Sequence, residues 1–251
     1  MNIERRNKIV ELINKQGSVT NAQLINEFGI SIETLRRDLD FLQKRGVIDK
    51  VYGGAVKKRY LSTEPEYDSR ERVNFDEKKR IAPEVNDLID VGDSVYFDVG
   101  TTVLEVAKAL DSSKNLTCFT NSLRTAIELC DKDFNVILTG GILRKGEYAV
   151  SGSISEKTLS SFNIDKAIIG AGGITEDGIT DYIVSEATIR SKIIENARTV
   201  ILVADNSKFG VKALCKICPL SSIDYLITDA NAPKSVLKAM EQQGVKIIIV
   251  K

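Results

Sequence analysis

The stretch SIETLRRDL, residues 31–39, decides how the N-terminal part of this chain folds. Leu35 and Leu39 are separated by about one helical turn, so both point to the same side of a helix. Arg36 and Arg37 then fall largely on the opposite side. The serine that opens the stretch belongs to the residue types preferred at a helix N-cap. The pattern therefore predicts a helix that buries its leucines and presents two arginines outward.

Two helical patterns precede this helix, and a hairpin pattern follows it. In chain order, the patterns are a helix over residues 3–15, a second helix that Thr20 caps, the turn Gly29-Ile30, the third helix ending near Gly46, and β-prone stretches at 47–48 and 55–56 around Gly53-Gly54. This order is typical of a winged helix-turn-helix, with the helix-turn-helix motif at about residues 20–39 and the whole domain at residues 3–58.

A recognition helix of this kind places the residues of its N-terminal half in the major groove of duplex DNA. Thr34, Arg36 and Arg37 are the candidates here. An arginine can bind guanine O6 and N7 bidentately, or it can grip a phosphate instead, and both possibilities stay open. The alternative is a solvated basic face in which the arginines pair with Asp38 and Asp40.

The overall charge of the chain is zero, but the charges are unevenly distributed. Residues 1–59 contain 12 Lys and Arg against 7 Asp and Glu, whereas residues 60–251 contain 23 against 28. The N-terminal part is thus net +5 and the remainder net −5. Such asymmetry indicates a basic module that contacts DNA, joined to an acidic body with another task.

Bulk composition excludes several classes of protein. The 251 residues include no apolar run of the length of a membrane span, and the charged start lacks the apolar stretch of a signal peptide. We therefore expect a cytoplasmic location without a membrane partner. Cys215 and Cys218 have CxxC spacing, but the chain has no His and no second CxxC. Two thiols in or beside a strand are favoured over a metal or redox site.

Beyond a polar and charged stretch at residues 59–75, which we expect to be a linker, strand-like and helix-like segments alternate. Strands are predicted at 94–97, 116–119, 136–138, 167–169, 200–203, 225–228 and 246–250, and helices at 76–90, 102–110, 122–131, 185–197 and 233–243. This alternation indicates an α/β fold with a largely parallel sheet over residues 76–251.

Polar and glycine-rich motifs follow several of these strands. Asp98-Val-Gly100-Thr101-Thr102 lies between a strand and a helix, where free N–H groups and hydroxyls can hold a phosphate. A capped helix without a ligand explains the same motif equally well. Thr120-Asn121-Ser122 follows the next strand, and a turn with an N-cap is its alternative interpretation.

Two further glycine clusters, Thr139-Gly140-Gly141 and Gly170-Ala-Gly172-Gly173, match neither the Walker nor the dinucleotide pattern. No nucleotide or other cofactor is therefore expected. We expect these glycines to line the mouth of the sheet, because α/β proteins bind ligands at the carboxyl ends of their strands.

On these residues, the chain closely resembles the DeoR family of bacterial regulators. Its hallmark is a Ser-x-x-Thr-hydrophobic-Arg-Arg-Asp-Leu helix followed by Gly-Gly-Ala, here residues 31–39 and 53–55. One departure is the stretch 49–52, where many members carry an Arg and a His. Lys50 can still reach phosphate, whereas Tyr52 replaces an imidazole. The DNA-binding residues that follow from motif and resemblance are Thr20, Ser31, Thr34, Arg36, Arg37, Lys50 and Tyr52.

The resemblance continues through residues 76–251, where DeoR-type effector domains are similar to ribose-5-phosphate isomerase. It implies that Lys208 faces a pocket suited to a phosphorylated sugar or polyol, and Glu186 could also reach it. Asn206 stands where many members have His. The predicted effector-binding residues are Asp98, Gly100, Thr101, Thr102, Asn121, Ser122, Gly140, Gly141, Gly172 and Lys208.

The expected function is a sequence-specific DNA-binding regulator, by resemblance a repressor of a carbohydrate operon that the effector releases. Its expected partners are double-stranded operator DNA and further copies of itself, in a dimer or a tetramer. A sugar-phosphate isomerase or deaminase is disfavoured, because Asp98 is poorly placed as a base and the chain contains no His. An architectural DNA protein is disfavoured by the acidic body. We expect no catalytic residues and no metal ligands.

Overall fold

The computed structural model describes residues 2–16, 18–45, 47–51, 53–57 and 63–251. Its N-terminal unit contains α1 (Asn2–Gln16), β1 (Ser18–Thr20), α2 (Asn21–Phe28), α3 (Ile32–Lys44), β2 (Ile48–Val51) and β3 (Gly54–Lys57). The antiparallel strands are arranged in the order β1-β3-β2. The winged helix-turn-helix prediction is confirmed, and the short strand β1 is an addition to it.

The three helices of the N-terminal unit share one small apolar core. Ile9 and Ile13 of α1, Leu24 of α2, and Leu35 and Leu39 of α3 are buried together. Helical spacing puts each set on a single face, so burial of these side chains holds the helices against one another.

The second helix is short, and signals at both ends delimit it. The Thr20 hydroxyl accepts a hydrogen bond from the Gln23 backbone N–H at 3.2 Å, and the Thr20 N–H donates to Gln23 Oε1 at 2.8 Å. This reciprocal pair is a capping box. Gly29 ends the helix at φ +59°, a left-handed conformation that glycine adopts without a steric penalty.

The stretch expected to be a linker contains a helix. α4 (Tyr67–Arg72) precedes α5 (Phe75–Glu84), which passes into a 3-10 turn at residues 85–88 instead of continuing to residue 90. Tyr67 is buried, and Arg70 is enclosed by carboxylates from elsewhere in the chain. Tertiary contacts rather than helical periodicity order this segment, which is why sequence patterns did not indicate it.

The C-terminal part is an α/β fold, as predicted. Its remaining elements are β4 (Ser94–Phe97), α6 (Thr101–Ala109), β5 (Thr117–Thr120), α7 (Leu123–Asp131), β6 (Asn135–Leu138), β7 (Ile142–Arg144), β8 (Ala149–Ser151), α8 (Ser153–Leu159), β9 (Ile164–Ile169), β10 (Gly173–Thr175), β11 (Gly178–Asp181), α9 (Val184–Asn196), β12 (Ala197–Val203), β13 (Cys215–Cys218), β14 (Tyr225–Asp229), α10 (Lys234–Gln242) and β15 (Lys246–Val250). Seven of the strands form one parallel sheet in the order β15-β14-β12-β9-β4-β5-β6.

Helices cover both faces of this sheet. α5, α6 and α7 pack on one face, and α8, α9 and α10 pack on the other, each against its own apolar cluster. The strands are therefore buried on both sides, as their continuous apolar runs require. Because the strands are parallel, the loops that follow β4, β5, β9 and β12 all lie at the same edge of the sheet.

Several short elements were missed by the sequence patterns. They are the ribbon β7-β8, the helix α8 and the small antiparallel sheet β10-β11-β13. Each strand among them has only three or four residues, too few for a clear alternation. Cys215 and Cys218 begin and end β13, which confirms the placement of these thiols in a strand. No helix in the described ranges is long and apolar enough to cross a membrane.

Candidate DNA-binding surface and ligand pocket

The recognition helix α3 presents its arginines as predicted from its spacing. Arg36 and Arg37 are exposed, Thr34 is half-buried, and the leucines of the same helix are buried. The Ser31 hydroxyl caps the helix by accepting a hydrogen bond from the Thr34 N–H at 3.3 Å. Ser31 and Thr20 thus each cap a helix, and both residues are exposed.

Asp38 follows the arginine pair, but it binds a different pair of arginines. Its carboxylate is 1% exposed and accepts hydrogen bonds at 2.7 Å from the Nε atoms of both Arg5 and Arg6 on α1. Asp38 therefore fastens α1 to α3 and does not neutralise the outward arginines. Among the residues that the structure describes, neither Arg36 nor Arg37 forms an ion pair, so an anionic partner can reach both guanidinium groups.

The wing hairpin lies only partly within the described residues. Lys50 on β2, a predicted phosphate ligand, forms an ion pair with Asp40 of α3. Both side chains are substantially exposed, so DNA phosphate and Asp40 would compete for this lysine. Tyr52 lies outside the described residues, and its predicted contact stays a prediction.

One cavity lies at the carboxyl ends of the parallel strands. Gly100, Thr101 and Thr102 enter its wall after β4, Gly172 after β9, and Lys208 after β12. These five belong to the predicted effector set. The wall also includes residues from outside that set, namely Glu64, Arg70, Asp181, Tyr182, Glu186 and Arg190.

The start of α6 has the features expected of an anion site. Gly100 precedes the helix at φ +129°, a region that glycine adopts readily, and has no side chain to cap the first turn. The two threonines that follow are both buried at the cavity wall. Uncapped N–H groups at a helix start carry partial positive charge and point at whatever occupies the cavity.

Lys208 adds a cation to the same cavity. It closes a 3-10 turn over residues 206–208, and its side chain is half-buried along the wall. Burial of the ammonium group lowers the pKa of Lys208, and the nearby charge of Asp205 opposes that shift. A phosphate in the cavity would compensate the desolvated ammonium directly.

Asp98 lies behind the cavity wall rather than on it. Its carboxylate accepts hydrogen bonds from Arg190 Nε and, at 3.2 Å, from the Gly170 N–H. Arg190 also binds Asp181, and all three side chains are nearly inaccessible to solvent. Burial raises the pKa of Asp98, and the charge of Arg190 opposes the increase. Asp98 therefore holds Arg190 from behind the wall, and its direct contact with an effector stays a prediction.

Four other predicted effector residues lie at neighbouring strand ends outside the described cavity wall. The Asn121 amide is fully buried and accepts a hydrogen bond from the Tyr96 hydroxyl at 2.8 Å, and Ser122 caps α7 through the Thr125 N–H at 3.2 Å. Gly140 and Gly141 have positive φ angles and approach α8 and the end of β8. The cap at Ser122 agrees with the alternative interpretation of a turn with an N-cap, and the effector contacts of these four residues stay predictions.

A cluster of five charged side chains adjoins the cavity, and three of them, Glu64, Arg70 and Glu186, belong to its wall. Glu64 accepts from Arg144 Nη1 at 2.9 Å and lies 3.2 Å from Arg70 Nη2. Glu147 binds Arg70, and Glu186 accepts from Arg144 Nε at 2.6 Å. Burial raises the pKa of Glu186 to about 7, and Arg144 opposes the increase. Of this cluster only Glu186 was considered from sequence, because the rest is assembled from distant segments.

Besides the arginine–glutamate cluster, a set of hydrogen bonds connects the DNA-binding unit to the loop that carries Lys208. We call this set the Arg45 junction. Arg45, directly after α3, donates to Asn206 Oδ1 at 2.9 Å and to Asn74 Oδ1 at 3.4 Å. Asn74 in turn donates to Asp205 Oδ1 at 2.6 Å. The residue that replaces the family's histidine, Asn206, thus contacts the end of the recognition helix.

A winged helix-turn-helix with outward arginines, joined to an α/β fold with a cavity at its strand ends, defines a DNA-binding regulator. Residues 5–59 match the model of the DeoR-like helix-turn-helix domain, and residues 73–230 match the DeoR C terminal sensor domain. The chain belongs to the DeoR family of transcriptional regulators, and the predicted resemblance is confirmed.

Curated relatives match the chain over nearly its whole length. The glycerol-3-phosphate regulon repressor of Escherichia coli (strain K12) is 36% identical over 246 residues, 97% of either chain. The regulator GlpR of Haloferax volcanii is 35% identical, covering 98% of this chain and 96% of its own length. The regulator GolR of Listeria innocua is 32% identical over 98% of both chains. These relatives are named as regulators of transcription, not as enzymes.

Among solved structures, a ribose 5-phosphate isomerase from Methanocaldococcus jannaschii matches with a TM-score of 0.40 at 15% identity. The match covers 54% of this chain and 55% of that one.

Proposed function

We propose that this regulator represses a carbohydrate-metabolism operon, and that a phosphorylated sugar or polyol bound in the cavity releases it from its operator. The observation that carries the proposal is the cavity itself. An uncapped helix start, two threonine hydroxyls and Lys208 converge on one space at the strand ends. This combination supports recognition of a phosphate group, and the neighbouring polar groups suit hydroxyls.

The E. coli relative is named for the glycerol-3-phosphate regulon. That name supports sn-glycerol 3-phosphate as the first compound to test, ahead of hexose and pentose phosphates. The predicted homo-oligomer belongs to the same proposal, because paired recognition helices read the half-sites of a symmetric operator. An effector then acts through its differential affinity for the operator-bound and released arrangements.

Catalysis has no part in the proposal. A ketose–aldose isomerase requires a carboxylate base that can approach a carbon-bound proton. In the cavity wall, Asp181 is bound to Arg190, and Glu186 is bound to Arg144. These arginine contacts support a binding site that uses its carboxylates to position cations.

Thr102→Val and Lys208→Met test the proposed phosphate site. Each substitution removes a polar contact while it retains most of the side-chain volume. We expect operator affinity within about twofold of wild type but an effector concentration for half-release raised about tenfold or more, as expected for a lost hydrogen bond to a charged group. Fluorescence anisotropy with an operator selected from random-sequence DNA measures both quantities.

Lys216→Met on the exposed surface of β13 is the matched control and should respond as wild type does. The proposal fails if neither sn-glycerol 3-phosphate nor any sugar phosphate releases the wild-type protein. It also fails if both cavity variants respond at the wild-type concentration.

A further inference from the structure

Glu64 comes from the segment that joins the DNA-binding unit to the α/β fold, yet its side chain lies in the effector cavity. It stands after β3 and before α4, and it shares the cavity wall with Thr101, Thr102 and Lys208. The side chain is only 13% exposed. A carboxylate from the connecting segment is therefore already present where an anionic ligand would bind.

Both oxygens of this carboxylate are engaged by arginines. Oε2 accepts a hydrogen bond from Arg144 Nη1 at 2.9 Å, and Oε1 lies 3.2 Å from Arg70 Nη2. Two guanidinium groups that hold one carboxylate from opposite oxygens make the kind of site that also binds phosphate. The arginines do not require a carboxylate in particular, because either oxyanion satisfies the same donors.

Three carboxylates share these two arginines. Glu64, Glu147 and Glu186 each form an ion pair with Arg70 or Arg144, and all five side chains are mostly buried. Within the described structure, the buried Nη2 of Arg144 has no hydrogen-bond partner, with the nearest carboxylate oxygen, from Glu147, at 3.6 Å. The arginines thus retain an unused donor, while the carboxylates repel one another.

We infer that Glu64 is a tethered competitor of the effector, a carboxylate that occupies the cationic side of the cavity until a phosphorylated ligand displaces it. This inference rests on the proposed function. A phosphate held at the start of α6 and by Lys208 would share one small cavity with the Glu64 carboxylate. Like charges in a partly desolvated site repel strongly, so the two anions exclude each other. Arg70 then transfers from Glu64 to the ligand.

Displacement of Glu64 has a direct consequence for DNA binding. The wing strand β3 ends at Lys57, and Glu64 is an early anchor of the following segment on the α/β fold. Release of this anchor changes how the connecting segment is held, and with it the placement of the recognition helix. Linkage requires the reverse effect as well, so operator binding that favours the anchored state weakens effector binding by the same factor.

The competition also defines the ligand chemistry. A phosphate monoester carries close to two negative charges at neutral pH and several acceptor oxygens, so it outcompetes a single carboxylate for Arg70, the partner of Glu64 that lines the cavity. An uncharged sugar or polyol has no charge with which to displace Glu64. The phosphorylated form alone should therefore act.

Glu64→Gln tests this inference, with Glu66→Gln as the matched control. Glu66 lies in the same segment, is exposed, and forms no side-chain cap at α4. Isothermal titration of the full-length chain with sn-glycerol 3-phosphate and with inorganic phosphate measures ligand affinity. Anisotropy with the selected operator measures the loss of operator affinity at saturating ligand.

We expect Glu64→Gln to bind both phosphate probes about tenfold more tightly than wild type, and its ligand-dependent loss of operator affinity to shrink by a similar factor. Glu66→Gln should match wild type in both measurements. In the wild-type chain, hydrogen exchange of residues 63–72 should become faster when the probe binds, a readout that needs no variant to fold.

The outcomes separate the two proposals. If the wild-type chain binds a probe and releases its operator, but Glu64→Gln behaves as Glu66→Gln does and exchange in residues 63–72 is unchanged, the competitor role is refuted while the proposed function stands. If neither wild type nor Glu64→Gln binds any phosphorylated probe, both proposals fail.

Discussion

At the scale of single residues, the outward arginines of α3 depend on where the neighbouring carboxylates are used. Asp38 is buried against Arg5 and Arg6, and Asp40 pairs with Lys50. Within the described residues, neither acid forms an ion pair with Arg36 or Arg37, although Asp40 lies within electrostatic range of Arg36. These contacts disfavour the alternative in which neighbouring acids neutralise the two arginines. Positive charge thus remains on the outward face of α3, the surface that we expect to contact DNA.

Arg36→Ala and Arg37→Ala should each weaken operator binding. A bidentate contact to guanine contributes about 1–3 kcal/mol of discrimination, whereas a phosphate contact weakens binding to all sequences alike. Gel-shift titrations against the selected operator and a scrambled duplex distinguish the two. Arg198→Ala, an exposed arginine on β12, is the control that should leave affinity unchanged. Wild-type affinity in both α3 variants would overturn the assignment of the recognition helix.

At the scale of elements, the wing hairpin depends on one close backbone approach. β3 pairs with β1 as well as with β2, and Gly54 lies opposite Thr20. A Cβ atom on Gly54 would stand 2.2 Å from the carbonyl oxygen of Val19. Glycine is required here because no side chain fits between the strands, not because of an unusual φ angle.

Gly54→Ala should therefore separate β1 from β3 and destabilise the N-terminal unit by about 2 kcal/mol or more. Gly53→Ala is the matched control, since Gly53 has φ +82° but open space around its Cβ position. The left-handed conformation alone costs about 1–2 kcal/mol. Urea unfolding of both variants provides the comparison, and a smaller loss for Gly54→Ala than for Gly53→Ala would contradict the steric explanation.

At the scale of the whole molecule, charged contacts connect parts of the chain that the sequence keeps far apart. The connecting segment, the ribbon β7-β8 and α9 meet at the arginine–glutamate cluster, and Arg45 joins α3 to the loop of Lys208. Both junctions adjoin the proposed effector cavity. In the proposed mechanism, an anion in the cavity rearranges one of these junctions and so acts on the DNA-binding unit from a distance.

Glu186 makes the stability of this assembly depend on pH. Burial raises its pKa from 4.5 to about 7, although the charges of Arg144 and Arg190 oppose the increase. The folded state therefore holds this proton more tightly than the unfolded chain does. Its contribution to stability is then full below pH 4.5 and is lost as the pH rises through about 7.

Relative to Glu186→Gln, the wild-type protein should lose up to about 3 kcal/mol of unfolding free energy between pH 5 and pH 8. Chemical denaturation at several pH values measures the unfolding free energy of both proteins. The contributions of the other titrating groups are common to both and cancel in the difference. The exposed Glu176→Gln should show no such trend. A difference between wild type and Glu186→Gln that stays constant over this range would contradict the assignment.

The sequence by itself determined the DNA-binding unit and the class of the second fold. N-caps, leucine spacing and the Gly-Gly turn act over a few residues, and alternating strands and helices specify a parallel sheet whose loops meet at one edge. The positions of Gly100, Thr101 and Thr102 at the cavity followed from that rule, and that of Lys208 followed from the family resemblance. Local periodicity and topology carry this information because they depend on near neighbours.

Only the tertiary structure decided which charges meet. Asp38 binds an arginine 33 residues away, and Glu64 binds Arg144 across 80 residues. It also placed Asp98 behind the cavity wall and gave Ser122 to a helix cap. Long-range ion pairs depend on how buried surfaces pack rather than on spacing along the chain, so no local pattern could indicate that a glutamate of the connecting segment lies in the effector cavity.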